Sequence, residues 1–168
     1  MAAETTNRPQ VIEIYLQPGE FFFGDENTRL KTLLGSCVAI TMWHPGKRVG
    51  GMCHYLLPSR DKEHSDALDG RYADEALGLF LIEIARSGLP PHEYEVKIFG
   101  GGKMFPDVGG LRKLEVGARN AAHGLRVLSG LGFKIKSNHL NGTGHRNVVF
   151  EVWSGDVWLR HSEAVRDE

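Results

Sequence analysis

Two residues of this chain, Cys37 and His54, have types and a spacing that could support covalent chemistry. A free thiol has a pKa of about 8.5, so only a few per cent is thiolate at neutral pH. A neighbouring imidazole can take the thiol proton and later return it to a leaving amine. That pairing suits a hydrolase that attacks an amide carbon. Cys37 sits in Leu34-Gly35-Ser36-Cys37-Val38, where one strand-like run ends and another begins. Gly35 permits a tight turn with φ > 0. Such a turn can leave the N–H groups around Gly35 and Ser36 unpaired by either strand, as an oxyanion hole requires. A third group should bond the other imidazole nitrogen. No Asp or Glu occurs between Leu30 and Leu57, which leaves a hydroxyl, and Thr32 lies on the run leading into the turn. A neutral orienter fixes the tautomer without stabilising imidazolium as a carboxylate would, which predicts modest turnover.

These residues need elements to position them. Val11–Leu16 reads as a strand, Pro18-Gly19 as a turn, and Phe21-Phe22-Phe23 as a short buried run. Leu30–Leu34, Val38–Trp43 and Val49–Leu57 read as three more strands, with His44-Pro45-Gly46 stopping the middle one. Their spacing suggests sequential hairpins. A hairpin of 38–43 with 49–57 returns His54 toward Cys37. Residues 59–71 form a polar, charge-dense connection, read as a solvated loop or a flap over a cleft. A helix from Tyr72 should stop at Gly88, and Glu95–Phe99 alternates like a strand. A second helix spans Val116–Leu131 and ends at Gly132. Strand Phe133–Leu140 follows, then a glycine-bearing turn at 141–144. A last hairpin joins Val148–Trp153 to Val157–Arg160. About eight strands and two helices, with strands dominating the first third, predict an α+β layered domain. The expected division is a flexible leader at 1–10, a single domain at 11–161 and a polar tail at 162–168.

The chain has 168 residues, 41% hydrophobic and 24% charged. A chain this long buries roughly 68–70% of its unfolded surface, so a core needs no disulfide or metal. The formal net charge of −1 makes nucleic acid and anionic membrane poor partners. No run approaches the ~20 apolar residues of a membrane span, and the N-terminus lacks the pattern of a secretory signal. The reading is a cytoplasmic protein with two reduced thiols, Cys37 and Cys53. Gly100-Gly101-Gly102-Lys103-Met104 is not a phosphate-binding loop, because Lys103 precedes Met and the glycine spacing differs. Cys37, Cys53, His44 and His54 make a poor zinc set, because adjacent Cys53 and His54 would face opposite sides of a strand. Neither a metal nor a cofactor is expected.

Several stretches together resemble the CheD family of chemoreceptor glutamine deamidases. They are Thr32–Ala39, Gly50–Pro58, Phe99–Phe105, Val116–Asn120, and Gly142–Glu151 with Arg146, in that order. The resemblance covers roughly residues 10–160. It implies a layered α/β/β sandwich with two mixed sheets and two main helices, similar to the catalytic domain of cytotoxic necrotizing factor toxins. It also implies hydrolysis of receptor glutamines to glutamate through a cysteine thioester, with release of ammonia. The family's catalytic Cys, His and Thr match Cys37, His54 and Thr32. The implied partners are the cytoplasmic helices of chemoreceptors and a CheC-like phosphatase. Cys53 departs from the family's asparagine or small residue, and a thiol there could sense oxidation or merely pack. Two other readings stay open: a non-enzymatic adaptor that binds receptors or a CheC-like protein, and a thiol hydrolase of small amides.

Overall fold

The computed structural model describes residues 10–60, 67–104 and 115–163. Most of the expected leader and tail and residues 61–66 of the charged connection lie outside the described residues, as does Phe105. Nine strands, two α-helices and one short 3-10 turn are present among those described. The strands are β1 (Ile12–Tyr15), β2 (Phe21–Gly24), β3 (Thr28–Leu34), β4 (Val38–His44), β5 (Val49–Tyr55), β6 (Glu95–Gly100), β7 (Ile135–Leu140), β8 (His145–Glu151) and β9 (Val157–Ser162). The helices are α1 (Ala73–Ser87) and α2 (Glu115–Gly130). The run Phe21-Phe22-Phe23, expected only to be buried, is an edge strand paired with β5.

The strands form two mixed sheets. One has the order β1-β3-β8-β9, the other β2-β5-β4-β6-β7. The β1–β3 and β6–β7 pairs are parallel and the rest antiparallel. The hairpins β4–β5 and β8–β9 form as the sequence predicts. Sequential hairpins do not hold elsewhere. β1 lies parallel to β3, β2 skips to β5, and β3 pairs with the distant β8. The reason is that a period of two fixes which face of a strand is apolar but not which neighbour it takes.

Two apolar layers separate three structural layers. Between the helices and the five-stranded sheet lie Ile40, Met42, Tyr55, Val96 and Ile98, against Ala76, Leu77, Phe80, Ile84 and Leu128 of the helices. Between the sheets lie Leu30, Leu34, Ala39, Met52, Val148 and Phe150. The α+β class with two mixed sheets and two helices is therefore as expected. β4 and β5 belong to both cores and read as nearly continuous buried runs. β3 is buried on one face only, and its alternating pattern follows from that. Gly88 stops α1 in the left-handed region at φ 72°, its N–H on the Ala85 carbonyl.

Candidate active site

In β3, Leu30 and Leu34 enter the core between the sheets, and the period of two carries Thr32 to that same face. The β4–β5 register sets His54 opposite Ala39, another residue of that core. Thr32 and His54 are 1% and 2% exposed. Thr32 Oγ1 lies 2.7 Å from His54 Nδ1 and donates to the Leu16 carbonyl at 2.8 Å. A hydroxyl has one proton to donate. With that proton on Leu16, His54 Nδ1–H must donate to Thr32 Oγ1. Nε2 then keeps its lone pair, the form a general base requires. Nε2 is buried and has no hydrogen-bond partner among the described residues.

Residues 35–37 carry the chain from β3 in one sheet to β4 in the other. Cys37 is partly exposed and packs against the core between the sheets. One step beyond the Val38–Tyr55 pair, it is diagonal to His54 on the face shared with Ala39. Diagonal neighbours stand about 7–8 Å apart at Cα, and somewhat less at Cβ. No hydrogen bond joins Cys37 to His54 Nε2. Such contacts often close only when substrate is bound.

All three carbonyls of the turn are held. Gly102 N–H donates to Gly35 O at 2.9 Å, Asn120 Nδ2 to Ser36 O at 3.1 Å, and Gly101 N–H to Cys37 O at 2.9 Å. The N–H groups of Gly35, Ser36 and Cys37 meet no acceptor among the described residues. The expected φ > 0 at Gly35 is not observed, because the left-handed glycines lie elsewhere. Gly35 instead packs closely on a neighbour: a Cβ there would come within 2.8 Å of Met104 Sδ, and that side chain would have to shift. Two of the positive-φ glycines, Gly100 and Gly101 at φ 116° and 66°, bear on the turn. That backbone lets the Gly101 and Gly102 N–H groups reach back to the turn.

Burial lowers the His54 pKa to about 4, partly opposed by the charge of Glu20. Burial also pushes the Cys37 thiol up. Both groups therefore rest neutral at pH 7, and no thiolate–imidazolium ion pair stands ready between them. Cys53 is fully buried in the core beneath the helices, its thiol pushed up to about 12 by burial. It faces away from His54, and as a buried, fully protonated thiol it packs. Among the described residues, no cluster of His, Cys, Asp or Glu could hold a metal ion.

The structure brings Thr32 and His54 into contact, with Cys37, Gly35 and Ser36 on the adjoining turn. Three further contributors escape a reading by spacing. The Leu16 carbonyl is backbone, which no side-chain pattern reveals. Asn120, on α2, donates to Ser36 O and also to Leu56 O at 2.7 Å. Its sequence signal is a polar residue on the small and apolar stripe of Gly117, Ala121, Gly124 and Leu128. Arg146 is 1% exposed and donates to His139 Nδ1, to Gly100 O and to Asn141 O. It ties the end of β6 to β7 and to the turn before β8.

Comparison with known proteins identifies the family. Residues 56–161 match the family model described as CheD chemotactic sensory transduction. A protein of Dechloromonas aromatica named "Probable chemoreceptor glutamine deamidase CheD 3" is 50% identical over 147 residues, covering 88% of this chain and 86% of that protein. A similarly named protein of Pseudomonas savastanoi pv. phaseolicola is 48% identical, covering 90% of this chain and 85% of its own length. One from Leptospira interrogans is 36% identical, with 91% and 95% covered. Similarity of this extent, spanning the turn, both sheets and the helices, shows that the chain belongs to the CheD family.

Proposed function

We propose that this chain is a protein-glutamine glutaminase. It hydrolyses particular glutamine side chains of methyl-accepting chemotaxis receptors to glutamate and releases ammonia. The relatives' names state that activity, and one observation in this chain carries it. The hydrogen bond between Thr32 Oγ1 and His54 Nδ1 leaves Nε2 as a buried, unpartnered base on the face it shares with Cys37.

The reaction follows from that arrangement. His54 Nε2 takes the Cys37 proton, and sulfur attacks the carboxamide carbon. N–H groups of the Gly35–Cys37 turn receive the oxyanion; removing one such donor typically costs ~10²–10³ in rate. His54 returns its proton to nitrogen as the C–N bond breaks and ammonia leaves. Water, deprotonated by His54, then cleaves the thioester to glutamate and restores the thiol. Deamidation adds a negative charge to a receptor helix, and repulsion at helical spacing alters its packing. The reading includes a fold like the catalytic domain of cytotoxic necrotizing factor toxins, a CheC-like phosphatase as partner, and a cytoplasmic location. No described helix is long and apolar enough to cross a membrane.

Mass spectrometry of receptor cytoplasmic fragments tests the proposal. Wild-type chain should convert specific glutamines to glutamate, with ammonia released in equal amount, and Cys37→Ala should not. Conversion that persists in Cys37→Ala rejects the mechanism. Receptor binding without ammonia release favours the adaptor reading, and equal turnover of free glutamine favours a small-amide hydrolase.

A further inference from the structure

We infer that Asn120 is the positioning residue that aims the Cys37 N–H as an oxyanion donor; the inference rests on the deamidase reading above. The peptide joining Ser36 to Cys37 is trans, so its C=O and N–H point in opposite directions. Whatever holds the Ser36 carbonyl therefore sets the direction of the Cys37 N–H. That carbonyl accepts from Asn120 Nδ2, on α2, on the helix side of the five-stranded sheet. The Cys37 N–H is thereby turned away from α2, toward the side where His54 lies.

The carbonyls of Gly35 and Cys37 are held by backbone N–H groups of Gly102 and Gly101. The Ser36 peptide alone depends on a side chain. The second proton on Nδ2 goes to Leu56 O, two residues after His54. One amide thus joins the segment bearing the nucleophile to the segment bearing the base. Asn120 is itself fully buried, and its Oδ1 has no hydrogen-bond partner among the described residues. A buried unpaired acceptor is a stability cost. A residue serving only to fill this place would be better apolar. Breaking a packing rule is characteristic of residues retained for a site.

Asn120→Ala and Asn120→Leu test this, the second keeping the volume without the donor. In both, kcat for ammonia release should fall by ~10²–10³, the loss expected for one oxyanion donor. KM, and the rate of Cys37 alkylation by iodoacetamide, should stay at wild-type values, because thiol and base remain in place. Tyr55→Phe removes a different contact to the same residue, the Tyr55 hydroxyl on Asn120 O. It should lower thermal stability and leave kcat unchanged. Retained kcat in the Asn120 variants overturns the inference. Parallel loss of kcat and alkylation, or failure of both variants to fold, overturns it in favour of a purely structural staple. If wild-type chain releases no ammonia from receptor fragments, the deamidase reading fails separately. Crystal structures of the variants then decide the inference alone: a rotated Ser36–Cys37 peptide supports it, and an unmoved one overturns it.

Discussion

One proton on the Thr32 hydroxyl decides which nitrogen of His54 keeps its lone pair. Leu16 O takes that proton, so Thr32 serves imidazole as an acceptor and Nε2 stays free. Thr32→Val keeps the shape but removes the acceptor. It strands Nδ1–H and lets the other tautomer compete. The expected result is a fall in kcat smaller than the ~10⁴ that follows replacement of a charged orienter. Thr32→Ser should retain most activity. Steady-state ammonia release on receptor fragments measures both, and a Thr32→Val enzyme equal to wild type would sink the relay. At this scale the sequence was informative where chemistry selects the residue type. Cys37 and His54 stand out as candidates because few side chains can be nucleophile or base. Thr32, a candidate because no carboxylate lies between Leu30 and Leu57, is found against His54. Leu16 contributes only its carbonyl, which no side-chain pattern reveals, and the polar break that Asn120 makes in the apolar stripe of α2 does not say that its partner Ser36 lies 84 residues away.

The elements meet where glycines let backbone touch backbone. In α2, a Cβ at Gly117 would stand 2.5 Å from Gly102 O and 2.6 Å from Gly101 O. These residues hold the carbonyls on either side of Ser36. Gly130, in the same helix, has nothing within 4 Å of the equivalent position. Helix propensity alone favours alanine over glycine at both sites by ~1 kcal/mol. Contact should reverse the sign at Gly117, since overpacking costs ~1–3 kcal/mol and backbone cannot swing aside as a side chain can. Urea unfolding should show Gly130→Ala stabilised by ~0.4–1 kcal/mol and Gly117→Ala destabilised. Ammonia release should fall in Gly117→Ala alone, because a displaced α2 carries the loop and Asn120 with it. Stabilisation of Gly117→Ala would show that α2 does not press on the loop. The helices themselves were readable from apolar spacing and their glycine stops. The closeness of α2 to the loop was not, because a glycine at a helix crossing looks in sequence like any other glycine.

Across the molecule, the site lies where all the layers converge. Thr32 comes from the four-stranded sheet, His54 from the five-stranded sheet, Cys37 from the crossing between them, and Asn120 from the helices above. The layered class was readable, because strand runs gather early and helices alternate later. The strand order was not, because the long-range pairing of β3 with β8 is decided by burial between two sheets that no local window contains. One consequence concerns the stability of the whole fold. His54 sits between the sheets as a neutral ring with its pKa lowered to about 4, against 6.5 when free. The unfolded chain therefore binds the proton first as pH falls. The contribution is fully present above pH 6.5, is lost progressively toward pH 4, and levels off below it. Between pH 7 and pH 5 the loss from this group alone should be about 2 kcal/mol. Burial also lowers the His139 pKa, which adds a loss of the same sign. His54→Gln removes only the first of these. Urea unfolding of both chains at pH 7 and pH 5 separates them. Wild type should lose about 2 kcal/mol more than the variant, whatever the variant's starting stability. Equal losses would mean that His54 titrates near its free value, and that the base is not held dry between the sheets.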